Sequence, residues 1–321
     1  MLVVAVLVLL PVGRSAEAPL ALGALAGLVL TWRSRDTLAA NAGLRLAALL
    51  FACYWLPALI SAPDSVASSK SWSTVATLLR FLPFAAFAVL ALRDARVWPR
   101  IVQAVAAVLV LWLLDAWVQA CAGNLKLGPV LAVLAPFLLV AARDAFGLRG
   151  LVVAFVFMLV PVLLSGERAA WLMYGLVTIA MLWREARTPR RLALGGVALV
   201  LLVSVAMLAT LHLSPAFEAR VERSLLALHG SEQAVDEASA GRVRIWSTAA
   251  RMIAVHPVNG VGVRAFRYAY PQYAGKNDWF VHPDGDEGAL HAHQIVLEVL
   301  SETGTIGFIF WLAGVGFALR A

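Results

Sequence analysis

The chain has 321 residues, of which 62% are hydrophobic and 14% are charged, and its formal net charge is +7. This composition, with a mean hydropathy of +0.84, excludes a single soluble domain and predicts a protein that crosses a membrane several times. Most of the positive charge falls in predicted loops, so we expect membrane lipids as partners and no nucleic acid.

Apolar runs follow one another along the chain, and several approach the ~20 residues needed to span hydrocarbon. They cover residues 1–12, 18–32, 46–62, 72–92, 101–121, 127–142, 149–165, 169–183, 191–212 and 294–319. We therefore predict an all-α fold, a polytopic transmembrane helical bundle of about ten helices with one large helical loop.

The basic residues set the expected orientation, because arginines concentrate in alternate loops and such loops are cytoplasmic. These arginines are Arg33, Arg35, Arg45, Arg93, Arg96, Arg100, Arg143, Arg149, Arg184, Arg187, Arg190 and Arg191. Residues 1–212 then hold helices one to nine, residues 213–292 form an outer loop or cap, and residues 293–321 form the tenth helix.

The outer loop is the main functional candidate, since long loops in compact proteins are often functional. All six histidines lie at or beyond residue 212. Residues 217–228 and 241–255 read as helices, and a folded cap with solvated charges is the alternative to a functional site. The second helix would place four residues on one apolar face: Val243, Trp246, Ala250 and Ile253.

Three ionisable residues lie within or beside apolar runs, where charges are usually tied to function. Arg80 falls inside the fourth run, Asp115 falls inside the fifth, and Arg168 lies at a tight outer turn. Each also has a structural explanation: Arg168 could pair with Glu167 or extend to the interface, and Arg80 could bond carbonyls or Asp115.

His293 and Gln294 stand where the last apolar helix begins, just after the polar segment. An imidazole there suggests a base at the membrane surface, whereas a helix start with a solvated His is the alternative. Helical spacing gathers the polar residues that follow into one stripe, made of Gln294, Glu298, Ser301, Glu302 and Thr305.

Four segments resemble the O-antigen ligase (WaaL) and polymerase (Wzy) superfamily: residues 165–171 (SGERAAW), 241–246 (GRVRIW), 256–262 (HPVNGVG), and His293-Gln294 followed by glycines. The ligase pattern is His, then Asn, Ser or Gln, nine residues, Gly, two residues, and Gly, Thr or Tyr; His293, Gln294, Gly304 and Gly307 satisfy it. The chain departs from its relatives at Val263-Arg264, which places an extra cation there. Family members commonly have about twelve helices, so we expect C-terminal helices beyond the tenth.

The resemblance implies an inverting glycosyltransferase in the bacterial inner membrane, multi-pass, with its active site facing the periplasm. The donor would be a glycan linked to undecaprenyl pyrophosphate, and the acceptor would be the lipid A core oligosaccharide. In this reading Arg80, Arg168, Arg242 and Arg264 bind the pyrophosphate, with Arg168 also catalytic. His293 is the general base, because imidazole with its pKa near ~6.5 suits proton removal at neutral pH.

Gln294, Glu298, Glu302, Gly304 and Gly307 are supporting residues in the same reading. Glu298 or Glu302 would orient the imidazole or pack against an arginine, and the glycines would permit close helix contact. The alternative functions are an O-antigen polymerase or a protein O-oligosaccharyltransferase of the same superfamily and, in another class, an anion transporter.

We expect neither a metal nor another cofactor. The acidic and histidine residues between 282 and 293 lack a firm ligand spacing, and arginines can neutralise a pyrophosphate unaided. Gly260 and Gly262 predict a turn and not a nucleotide-binding loop, because no strand precedes them.

Overall fold

A computed structural model describes most of the chain: residues 2–9, 12–33, 41–121, 127–186, 188–213, 218–219, 222, 236 and 239–321. Within these residues the structure is helical and has no β-strand, which confirms the predicted fold class. The predicted helix at 217–228 lies almost entirely outside the described residues.

The helices are numbered here in chain order. They are α1 Leu2–Leu9, α2 Glu17–Arg33, α3 Ala42–Ser61, α4 Ser68–Leu78, α5 Phe81–Ala91, α6 Trp98–Cys121, α7 Gly128–Leu164, α8 Arg168–Glu185, α9 Pro189–Leu213, α10 Arg242–Val255, α11 Phe266–Tyr273 and α12 Ile295–Arg320.

Six helical segments of the described chain are long and apolar enough to cross a membrane: Ala42–Ser61, Ser68–Ala91, Ala95–Ala120, Gly128–Leu164, Pro189–His212 and Ile295–Arg320. The prediction of about ten is therefore too high. The predicted runs 127–142 and 149–165 form the two halves of α7, which fold back on each other at Gly147 (φ 67°, ψ −156°), since a Cβ on Gly128 would overlap the side chain of Ser165. The first run yields α1, which has only 8 residues.

The chain divides into two compact units: unit 1 contains residues 1–19 and 92–223, and unit 2 contains residues 20–91 and 224–321. In unit 1, α7 packs against α6, α8 and α9. Its most buried large side chains include Leu109, Leu131, Leu139, Met158 and Val162. Because lipid tails are as apolar as these residues, close packing holds the unit together more than exclusion of water does.

A proline in α7 shows how unit 1 satisfies its backbone. Pro161 has no N–H, so the carbonyl of Phe157 loses its helical partner. The indole N–H of Trp117 donates to that carbonyl at 3.1 Å, and the two rings stack with centroids 5.3 Å apart. The contact therefore ties α6 to α7.

In unit 2, α12 packs along α3, while α10 and α11 pack on α12. The helical backbone of α12 is broken at Gly304, which has φ 64° and ψ −163°, a conformation essentially reserved for glycine. A break of this kind leaves carbonyls before it and N–H groups after it without helical partners.

Residues 257–262 fill this break, and they form the turn predicted around Gly260 and Gly262. Four backbone hydrogen bonds join the two segments: Val261 N–H to Ser301 O (2.8 Å), Gly262 N–H to Glu302 O (3.0 Å), Thr305 N–H to Pro257 O (2.8 Å) and Ile306 N–H to Val258 O (3.3 Å). The turn therefore satisfies both ends of the broken helix.

Replacing Gly304 with Ala tests this arrangement. A Cβ at this residue would overlap the carbonyl of Val258, and its backbone conformation is strained for any L side chain. We expect Gly304→Ala to destabilise the protein by about 3 kcal/mol or more, measured by unfolding in detergent. Gly316→Ala in the same helix is the matched control, because its Cβ would meet open space. Equal stability of the two variants would contradict the conclusion that the break in α12 requires glycine at residue 304.

Candidate functional site

The site begins at the N-terminus of α12. Gln294 is the N-cap residue, and its side-chain oxygen accepts a hydrogen bond from the N–H of Leu297 at 2.6 Å. This confirms the helix start predicted just after His293. The polar residue after the histidine therefore has a local structural reason: it ends the loop and begins the helix.

The backbone just before His293 is held by hydrogen bonds to both the N–H and the carbonyl of Ala292. The Glu298 carboxylate accepts from the N–H of Ala292 at 2.5 Å, and the Trp246 indole donates to the Ala292 carbonyl at 3.0 Å. Ala292 is fully buried, whereas His293 is exposed and has φ 56°. A left-handed backbone costs a non-glycine residue roughly 1–2 kcal/mol, so the surrounding contacts must hold His293 in place.

Arg264 has the same unusual backbone, with φ 59°. Its N–H donates to one oxygen of Glu302 at 2.8 Å, and the N–H of Phe266 donates to the other at 3.4 Å. The Glu302 carboxylate is 8% exposed, so these bonds satisfy a buried group. The Arg264 side chain is exposed, which leaves its guanidinium accessible to a ligand.

Charged and titratable side chains converge around the first turns of α12. Arg264 and His291 both interact electrostatically with Glu298, and the rings of His291 and His293 lie 4.2 Å apart between centroids. Tyr54 of α3 also interacts with Glu298, Glu302 and Arg264. No local pattern singles out Tyr54, because its contacts depend on the packing of α3 against α12.

A compact cap carries this cluster. The buried face of α10 consists of Ile245, Thr248, Ala249 and Met252. The predicted apolar face with Val243, Trp246, Ala250 and Ile253 is therefore wrong: Trp246 and Ala250 are exposed, and the other two are half-buried. The buried side packs on Phe266 and Tyr270 of α11.

Tyr270 connects α11 to the segment that follows it. Its hydroxyl donates to Asp278 at 2.9 Å, and burial raises the pKa of this phenol, so it stays neutral at physiological pH. Arg244 stacks on Trp279 with 3.7 Å between its guanidinium carbon and the ring centroid. The 241–246 segment thus contributes structural contacts as well as the exposed Arg242.

Two other predicted phosphate ligands also belong to unit 2. Arg242 begins α10 four residues before Trp246, so both side chains lie on one side of the helix. Arg80 is half-buried at the junction between α4 and α5, and its guanidinium carbon lies 5.3 Å from the Phe81 ring centroid.

Arg168 belongs to unit 1, where it is the first residue of α8. The turn before it has Gly166 at φ 67°, and both the Ser165 hydroxyl and the Trp171 indole donate to the carbonyl of Val162. This confirms the predicted tight turn at residues 165–171. Asp115, also in unit 1, accepts a hydrogen bond from Gln119 at 2.7 Å.

An open, shallow pocket of about 490 Å³ lies in unit 2. Hydroxyl groups, one cation and one aromatic ring line it: Ser68, Ser69, Ser73, Lys70 and Tyr268, with Ala67. In the described part of the chain, no three His, Cys, Asp or Glu side chains are grouped so that they could hold a metal ion.

The helices and this cluster define a polytopic helical membrane protein with a polar site at the start of its last described helix. A family model described as O-Antigen ligase (Wzy_C) matches residues 153–312, just under half of the chain. The match shows that this region is similar to the O-antigen ligase family. It supports membrane glycosyl transfer with a lipid-linked glycan and a lipid acceptor in general. No curated protein and no solved structure matched the chain.

Trp246 is the main contact that sequence reasoning missed. Trp246→Phe keeps an aromatic ring but removes the N–H bonded to the buried Ala292 carbonyl. We expect a loss of about 1–2 kcal/mol in stability, with faster hydrogen exchange at residues 290–294. Trp279→Phe is the control, since Trp279 is 60% exposed and its contact with Arg244 needs only a ring. Unchanged exchange in Trp246→Phe would show that the hydrogen bond from Trp246 does not hold the backbone at Ala292.

Proposed function

We propose that the protein is an O-antigen ligase. It transfers glycan from undecaprenyl pyrophosphate to the lipid A core oligosaccharide, with inversion and without a metal, on the periplasmic face of the bacterial inner membrane. The observation that carries the proposal is the way the backbone at His293 and Arg264 is held. Both have left-handed backbones, and carboxylates of the same helix accept the N–H of Ala292, just before His293, and the N–H of Arg264: Glu298 and Glu302, respectively. The match to the O-antigen ligase family supports the same reaction.

The leaving group explains the need for arginine. As the anomeric carbon–oxygen bond breaks, its electron pair and the negative charge go to the pyrophosphate. Guanidinium groups offer forked donors to phosphate oxygens and stabilise this charge, typically by a few kcal/mol per strong contact. Arg264 is our first candidate in unit 2, supported by Arg242 and Arg80, whereas the role of Arg168, in unit 1, stays a prediction from the sequence.

The acceptor must lose a proton during the attack. Its hydroxyl oxygen forms the new bond to the anomeric carbon, and the neutral His293 imidazole takes the proton. Attack opposite to the leaving pyrophosphate inverts the anomeric configuration, and the imidazolium then releases its proton to solvent. The hydrogen bonds of Ala292 with Glu298 and Trp246 orient the neighbouring His293 for this step, because a general base must be held in a precise position.

The arginine-rich loops support an outer orientation, with the cap on the periplasmic side. The hydroxyl-lined pocket beside Lys70 and Tyr268 suits an acceptor saccharide, because hydroxyls exchange hydrogen bonds with sugars and an aromatic ring packs on their apolar faces.

Purified donor and lipid A core acceptor, with and without a chelator, test the ligase and its base. His293→Ala should lower the transfer rate about 10²–10⁴-fold, because the variant lacks the general base. His282→Ala is the matched control: His282 is exposed, pairs with the surface Asp284, and should leave the rate unchanged. A fully active His293→Ala enzyme would remove His293 from the chemistry.

A polymerase is the second candidate, because the family match does not separate ligase from polymerase. Transfer to a second lipid-linked glycan but not to the lipid A core would favour it. Transfer to a protein would indicate an O-oligosaccharyltransferase, and anion uptake by vesicles without any donor would indicate a transporter.

Arg264→Gly separates catalytic charge from structure. Glycine adopts the left-handed backbone without strain, so the variant should be as stable as the wild type or more stable by about 1 kcal/mol. Transfer should nevertheless fall at least tenfold, because the cation is lost. Asn277→Gly is the control, since exposed Asn277 also has φ 58° but lies outside the cluster. Stability and transfer rate are measured on the same preparations. Full activity of Arg264→Gly would contradict the assigned role.

A further inference from the structure

Unit 1 contains a second cavity, of about 1100 Å³, between α7, α8 and α9. Its walls are mostly apolar, and several lining side chains are left open: Leu148 is 59% exposed, Val152 49% and Leu194 62%. Both α7 and α9 are long and apolar enough to cross a membrane. An open apolar groove on such helices faces lipid and suits an acyl chain.

One end of this groove is charged. Arg143, Arg184 and Arg191 line it together with Asp144 and Glu185. Arg143 is paired with Glu185 at 2.8 Å. Arg184 and Arg191 are exposed, and no carboxylate of the described residues lies within ion-pair distance of either. Two cations therefore remain available to a ligand at the end of an apolar groove.

The start of α9 adds to this positive potential. Its first turn contains Arg190 and Arg191 and no acidic residue, although the N-terminus of a helix already carries partial positive charge. Thr188 accepts a hydrogen bond from the N–H of Arg191 at 3.3 Å. Arginines in this position repel the helix dipole unless an anion is present, so the site is complementary to a bound phosphate.

We propose that this groove binds an anionic phospholipid. The phosphate lies against Arg184, Arg191 and the start of α9, and an acyl chain lies along Leu148, Val152 and Leu194. The arginines belong to predicted cytoplasmic loops, where the leaflet is rich in anionic lipid, so a phospholipid fits better than the outward-facing polyprenyl donor. The site is separate from glycan transfer and does not depend on the proposed function.

Lipid binding to the detergent-purified full chain tests this site. Phosphatidylglycerol should raise the melting temperature of the wild type, whereas phosphatidylcholine with the same acyl chains should not. Arg184→Gln/Arg191→Gln should weaken phosphatidylglycerol binding about tenfold or more, measured by native mass spectrometry. Arg96→Gln/Arg100→Gln is the matched control, because it removes the same charge from another loop of unit 1 and should bind like the wild type.

A second variant keeps the test independent of charge. Ala198 lines the groove and is exposed, so Ala198→Trp should fill the apolar part and lower phosphatidylglycerol retention while all arginines remain. Equal binding of the two phospholipids would overturn the proposal. So would unchanged binding in both groove variants, or displacement of phosphatidylglycerol by equimolar polyprenyl phosphate.

Discussion

The break in α12 at Gly304 is the constraint on which the site in unit 2 depends. Inside a membrane, backbone groups without partners are costly, so an interrupted helix must find partners elsewhere in the protein. Residues 257–262 supply them from the cap through four backbone hydrogen bonds. The same turn leads into Arg264, whose N–H binds Glu302 two residues before the break. Backbone pairing thus connects the membrane helix to the residues proposed for catalysis.

The two residues of the site with left-handed backbones, His293 and Arg264, are held in a similar way. His293 and Arg264 both have positive φ, and a glutamate of α12 holds the backbone at or beside each of them. Neither carboxylate forms these bonds with a side chain; each accepts backbone N–H groups. Glu298 and Glu302 therefore fix where the imidazole and the guanidinium begin, while both side chains stay exposed to a substrate.

Local patterns in the sequence predicted the all-helical class, the turn at 165–171, the turn at Gly260 and Gly262, and the start of α12 after His293. The number of spanning helices was overestimated because an apolar run need not form a helix long enough to span: the first run yields α1, which has only 8 residues. The predicted buried face of α10 was wrong because the helix instead buries the side that packs on α11, while Trp246 is 36% exposed and donates to the Ala292 carbonyl. Gly304 was expected at a helix contact, yet its role depends on a turn about forty residues earlier, which local spacing cannot show.

The anomeric configuration of the product tests the account most directly. The wild-type protein, with purified undecaprenyl-pyrophosphate-linked glycan, lipid A core and a chelator, should form a glycosidic bond whose configuration is opposite to that of the donor, as seen by NMR. Inversion under chelation is the predicted result, because one displacement assisted by His293 and arginines needs neither a covalent intermediate nor a metal. A retained configuration, or transfer that stops with the chelator, would contradict the account.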